Sequence, residues 1–187
     1  MNSLRKKFQE VITPQLQKEL DLDSPLAVPK VKKITVNTSN PEFHHDEDLF
    51  EKTKERMSSI TGQKPKVTRA KKSIADFNLT EGDKIGLVVT LRGDRMYAFL
   101  QKLVNIVLPR TKDFQGVSPD SFDGQGNYTL GLEEQIVFPE VDYDKIGEVQ
   151  GLEITLTNST SDPRAARLLL EALGMPFEKE EEKDTNK

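Results

Sequence analysis

Residues 85–92 read Ile-Gly-Leu-Val-Val-Thr-Leu-Arg, and this alternation constrains the fold more than any other stretch of the chain. Successive side chains of a strand point to opposite faces. Ile85, Leu87, Val89 and Leu91 therefore share an inward face, and Gly86, Val88, Thr90 and Arg92 share the other. A strand whose second face ends in threonine and arginine fits a sheet covered on one side and wet on the other, which is the antiparallel habit. Lys30 to Asn37 alternates in the same way. Lys32, Ile34 and Val36 fall on one side, and Val31, Lys33, Thr35 and Asn37 on the other.

The covering layer is legible as helical stripes. Leu4, Phe8, Val11, Ile12, Leu16 and Leu20 predict an N-terminal helix with a kink or restart at Pro14. Leu49, Phe50, Thr53, Met57 and Ile60 predict a second helix, opened by an Asp48–Glu51 capping box and closed by Gly62. Met96, Phe99, Leu100, Leu103, Val104 and Val107 predict a third, opened by Gly93-Asp94 and stopped by Pro109. Asp162-Pro163 starts a last helix packed by Leu168, Leu169 and Leu173 and ended by Gly174. Ser118 to Asn127 is turn chemistry, with short strands expected at 128–131, 135–138 and 152–157. Strands do not alternate strictly with helices. The expected class is α+β, a largely antiparallel sheet covered on one face by helices. One domain spans 1–177, and the polar stretch 178–187 is expected to be a disordered acidic tail.

Charge is distributed against its own average. The 187 residues carry a formal net charge of −4, yet Lys64 to Lys72 holds five cations in nine positions. Between Thr61 and Lys112 there are 11 Lys and Arg against 4 Asp and Glu, so this stretch is +7 and the rest is −11. A basic run is usually only a solvated surface. Here it lies between a glycine-capped helix end and a strong strand, so a folded platform holds it, and a polyanion is the expected partner, nucleic acid before membrane. No apolar run approaches the roughly 20 residues that cross a bilayer. The basic N-terminus has no apolar core behind it, and there is no cysteine for a disulfide, a thiolate metal site or a nucleophile. A cytoplasmic protein is the simplest inference.

A catalytic constellation is not evident. The pair Gly124 and Gly126 lacks the Gly-Lys-Ser/Thr of a phosphate-binding loop. His44 and His45, followed by Asp46, Glu47 and Asp48, could be imagined round a metal, but neighbours on one loop rarely converge on one ion. No metal, cofactor or enzymatic activity is expected. By contrast, Lys33, Thr35, Asn37, Thr90 and Arg92 line one open sheet face if the two strands are neighbours, flanked by Gln63, Lys64, Lys66, Arg69, Lys71 and Lys72. Cations there would neutralise phosphates, and the amides and hydroxyls would reach riboses and base edges of a folded RNA. Phe77 is the one candidate for stacking.

Several long motifs then carry a resemblance. Thr61-Gly-Gln-Lys-Pro-Lys-Val-Thr-Arg-Ala-Lys-Lys-Ser-Ile-Ala75, Val89 to Tyr97, Leu108 to Phe114, Ser121 to Tyr128, Gln135 to Glu140 and Leu173-Gly-Met-Pro-Phe177 stand in fixed order. The chain from about Leu4 to Phe177 resembles the large-subunit ribosomal protein five family, the universal 5S-rRNA-binding proteins, in a bacterial or organellar form. The resemblance implies a structural constituent of the large ribosomal subunit. Such a protein attaches 5S rRNA to large-subunit rRNA beside neighbouring proteins of the central protuberance. It also bridges to a protein of the small-subunit head and approaches the peptidyl-site tRNA. A cytoplasmic ribosome is expected ahead of an organellar one. Asn37, Gln63, Thr90 and Arg92 would be the rRNA-contacting set, with Lys33, Lys64 and Arg69 beside them. Lys71, Lys72, Ser73 and Phe77 would form the tRNA-side loop within Lys71 to Gly82. The chain departs from the family at Gln115, Asp120, Gln125 and Gln150, where basic residues are common, which implies weaker electrostatic anchoring. The competing expectation is an interaction module that holds a basic protein partner without specific RNA binding.

Overall fold

A computed structural model describes residues 3–141 and 149–178. Five strands form one antiparallel sheet: β1 (Val31–Ser39), β2 (Lys66–Arg69), β3 (Lys84–Leu91), β4 (Tyr128–Leu132) and β5 (Leu152–Asn158), in the order β2-β3-β1-β5-β4. The fold is α+β, as the alternation in 85–92 implies. Ile34, Val36, Leu87, Val89, Leu91, Ile154 and Leu156 point inward and are each no more than 1% exposed. They join one hydrophobic cluster with the helices that cover that face.

The N-terminal helical segment runs through α1 (Ser3–Lys7), a π turn (Phe8–Ile12) and α2 (Thr13–Glu19). The helix α3 spans Glu47–Thr61, and α4 (Gly93–Lys102) continues through a second π turn (Leu103–Val107) into α5 (Leu108–Arg110). The last helix, α6, is Pro163–Ala172, capped by the Asp162 carboxylate accepting from the Arg164 N–H.

Both interrupted helices follow one rule. A proline inside a helix lacks an N–H and its ring crowds the carbonyl four residues back. For Pro14 and Pro109 those carbonyls belong to Glu10 and Asn105, each inside a π turn. The wider turn closes by Thr13 N–H donating to the Phe8 carbonyl, and by Leu108 N–H donating to that of Leu103. The third helix therefore passes Pro109 and stops at Arg110, not at the proline as the sequence suggested. The same phase change turns Val11 out to 55% exposure, while Leu4, Phe8, Ile12 and Leu16 stay buried.

Three further expectations change. The cap of α3 is Asp46, whose carboxylate accepts from the Leu49 N–H at 2.8 Å, and Asp48 lies in the first turn. Gln135–Val137 is a 3-10 turn, not a strand. A bulge between Val31 and Lys33 buries Val31 and leaves Lys32 exposed, opposite to the simple alternation. The chain closes where Val117 bridges Phe177, whose ring meets Tyr128 edge-on and stacks on Phe122. The expected tail falls, from residue 179 on, outside the described residues.

Candidate nucleic-acid interface

The outer sheet face is built from rows that cross the strands. Residues opposite each other in an antiparallel pair share a face. Thr90 pairs with Thr35, Thr35 with Thr155, and Thr155 with Thr129, giving a line of four threonines over four strands. The Thr129 and Thr155 hydroxyls are 3.1 Å apart. A second row runs Lys66, Val88, Asn37, Glu153 and Gly131. At one end, Lys33 stands just before the Ile34–Leu91 pair and Arg92 just after it, so the two cations share that edge of the face. No ion pair holds either one among the described residues.

The structure thus gathers Asn37, Thr90, Arg92 and Lys33 on one surface, and brings Gln63 to it from elsewhere. Gly62 ends α3 in the left-handed region, at φ 67°, which a glycine adopts without penalty. The reversal lays Gln63 against β3, where its Nε2 donates to the Thr90 carbonyl at 3.3 Å. Lys64 follows, exposed, beside the sheet edge. Lys66 to Arg69, which reads as a basic loop, is the edge strand β2. Arg69 donates to the Gly82 carbonyl at 2.7 Å and so ties the base of the next loop.

That loop joins β2 to β3 and holds Lys71, Lys72, Ser73 and Phe77, all exposed. Its base is fixed. The Ala70 N–H donates to the Asp83 carbonyl, and the Ala70 carbonyl accepts from the Gly82 N–H. Ile74 bridges Leu79, and the Ser73 hydroxyl accepts from the Glu81 N–H at 2.9 Å. The tip presents Phe77 at 69% and Ile74 at 43% exposure. A braced hairpin with an apolar, cation-flanked tip is suited to reach beyond the domain.

Sequence reasoning missed Thr129, Glu153, Thr155 and Thr157, because β4 and β5 carry no basic residues to draw attention. The short strands expected at 128–131 and 152–157 were their only signal. Of the positions marked as lost cations, Gln115, Asp120 and Gln125 are exposed. Gln150 is 6% exposed, and neither of its side-chain amide atoms has a hydrogen-bond partner among the described residues. The His44 and His45 ring centroids lie 3.7 Å apart with their planes tilted by 41°, and among the described residues no three His, Cys, Asp or Glu side chains group as metal ligands. No described helix is long and apolar enough to cross a membrane.

Several charged groups off this face are neutralised by partners. A hydrogen bond from Arg5 holds the exposed Asp94 carboxylate below its ordinary pKa. Lys84 is paired with Glu47 over the Phe50 ring, and Lys102 joins the Ile60 carbonyl to Glu140. Lys33 and Arg92 on the sheet face, and Lys71 and Lys72 on the hairpin, have no such ion pair among the described residues.

Comparison with known proteins gives a consistent result. The profile described as ribosomal protein L5 matches residues 24–79, and the profile for the C-terminus of the same ribosomal family matches 84–177. The large ribosomal subunit protein uL5 of Synechococcus sp. (strain CC9605) is 51% identical over 176 residues, covering 94% of this chain and 98% of the relative. That of Dictyoglomus turgidum is 50% identical over 179 residues, covering 96% and 100%.

Proposed function

This chain belongs to the ribosomal protein L5 family, in its bacterial form, as a structural constituent of the large ribosomal subunit and not an enzyme; on that premise we propose that its open sheet face binds 5S rRNA and attaches it to the subunit. The observation that carries the reading is the edge where Lys33 and Arg92, outside the ion pairs of the described residues, stand beside Thr35 and Thr90 of the Thr90–Thr35–Thr155–Thr129 row. Two cations can neutralise adjacent phosphates, and a row of hydroxyls beside them offers donors and acceptors to riboses. Gln63 meets the row at the Thr90 carbonyl, and Asn37 adds an amide in the next row.

The braced hairpin is the tRNA-side element in this reading, with Lys71 and Lys72 toward phosphates and Phe77 toward a ribose or base of peptidyl-site tRNA. Contact with a small-subunit head protein, and with neighbours in the central protuberance, belongs to the same proposal.

The test is 5S rRNA binding by Arg92→Ala. Arg92 is exposed and outside the core, so the variant keeps its melting temperature. Loss of a charged contact at this edge of the face is expected to weaken binding by roughly tenfold to a hundredfold, about 1.4–3 kcal/mol. Unchanged affinity in a folded variant sinks the assignment of the sheet face.

A further inference from the structure

One residue of the sheet face has the wrong sign for a phosphate. Glu153 stands in the second cross-strand row, directly opposite Asn37 on β1 and Gly131 on β4. It is exposed and joins none of the ion pairs among the described residues. Around it the face sinks into a hollow of about 450 Å³, whose lining includes Asn37, Ser39, Thr129, Gly131, Gly151 and Glu153. That volume is within the span of small-ligand sites, roughly 300–1,000 Å³. No lysine or arginine lines it. Its floor is bare backbone: a Cβ at Gly131 would meet nothing within 4 Å, so only the lack of a side chain keeps that space open. Glycine inside a strand marks a place where a ligand can come close to the main chain. Beside it, the Thr38 hydroxyl donates to the Gly151 carbonyl at 2.8 Å and fixes the start of β5 against β1.

A carboxylate on a surface that meets RNA repels every phosphate near it, and it can only accept hydrogen bonds. Its useful partner there is a base edge made of donors. On the Watson–Crick edge, guanine alone sets two donors side by side, N1–H and N2–H; every other base places an acceptor next to its donor. Such an edge is free only in an unpaired nucleotide. We propose that Glu153 is the base-reading residue of this face and takes the Watson–Crick edge of an unpaired guanine. Both carboxylate oxygens accept, the Asn37 amide donates to the adjacent O6, and the ring lies over Gly131. The inference rests on the sheet face being the 5S rRNA surface, and divides the labour across it. Lys33, four residues back along β1, and Arg92 hold phosphates and set the position, while Glu153 and Asn37 specify.

The experiment titrates 5S rRNA with the parent and with Glu153→Gln, which is nearly isosteric, exposed and expected to keep the parent melting temperature. The sign of the effect decides. If the acid is a bystander, removing its negative charge tightens RNA binding, most of all at low salt. If it reads guanine, the amide puts a donor where the base needs an acceptor, and affinity falls roughly tenfold to a hundredfold. The salt slope stays at the parent value, because no phosphate contact is lost. Kethoxal, which attacks N1 and N2 of unpaired guanines, gives the second reading. At saturating protein the parent is expected to protect a guanine that turns reactive in the Glu153→Gln complex, with the other protections intact. Equal or tighter binding by the folded variant overturns the proposal, and so does a protection pattern identical to the parent's. Should Arg92→Ala weaken binding while Glu153→Gln does not, the sheet face stands and the guanine assignment alone fails. If the parent binds 5S rRNA no better than an unrelated transcript, the reading of the face falls and takes this one with it.

Discussion

Gly86 occupies the middle of the third strand at a point where a side chain has no room. A Cβ there would stand 2.7 Å from the Thr38 carbonyl oxygen and 2.8 Å from the Thr68 hydroxyl. The first of these is backbone of the central strand and cannot rotate away. Gly86→Ala is expected to destabilise the fold by about 1–3 kcal/mol, read from the urea midpoint, because overpacking forces the strands apart. It should also weaken RNA binding, since Val88 and Thr90 lie on the same strand face. Tyr128 makes a different prediction. Burial pushes its phenol pKa up to about 12, and its hydroxyl donates to the Ser118 carbonyl at 2.7 Å. The folded state therefore holds this proton more tightly than the unfolded chain, whose tyrosine titrates near 10. That contribution is fully present below about pH 10 and is lost as pH rises through about 12. Alkaline melts of the parent should fall across that window, and Tyr128→Phe should flatten the fall while costing about 1 kcal/mol at neutral pH.

Elements differ in how plainly the sequence announces them. The stripes of α3 and α4 and the alternation of β3 were legible because long amphipathic segments repeat one signal many times. The cap of α3 was not. Asp46 and Asp48 are both acids ahead of the same stripe, and composition cannot say which residue leaves the helical region. The structure assigns the cap to Asp46, at φ −113° and ψ 97°. Asp46→Ala should thus cost about 1 kcal/mol, and Asp48→Ala only a few tenths. Equal thermal shifts for the two variants would restore the capping-box reading. β2 was hidden for the opposite reason: four residues of Lys-Val-Thr-Arg look like loop until β3 supplies their hydrogen-bond partners. The bulge at Lys32 and the two π turns were equally silent, because each is a phase error forced by packing or by a proline farther on. On the sheet, strand spacing alone put Lys33, Thr35, Asn37, Thr90 and Arg92 on one face, as the β1–β3 register does. Thr129, Thr155 and Glu153 needed the strand order β1-β5-β4, which no local pattern encodes.

At the scale of the whole molecule, the charge asymmetry becomes a spatial one. The +7 of residues 61–112 is an excess of cations, and those of the hairpin and the sheet edge stand outside the ion pairs of the described residues. Much of the acid elsewhere is engaged or set apart: Glu47 with Lys84, Glu51 with Lys54, Glu140 with Lys102, and Glu42, Asp46 and Asp48 about the start of α3. A net-negative protein can therefore bind RNA, provided the acidic end faces away, because screening over about 8–10 Å at physiological salt confines each charge to its neighbourhood. This predicts a particular salt dependence. Four contacts at Lys33, Lys64, Lys66 and Arg92 give a slope of about 2.8–3.6, so 5S rRNA affinity should fall roughly 50- to 150-fold between 50 and 200 mM salt. The threonine row and the Asn37 and Gln63 amides are neutral, and their share of the affinity should survive at high salt as preference for 5S rRNA over an unrelated RNA. A shallow slope with no such preference would instead favour a module for a basic protein partner, with the acidic end as its working surface. The two readings part at the same measurement, because one assigns the cationic sheet face to the partner and the other the acids about the start of α3.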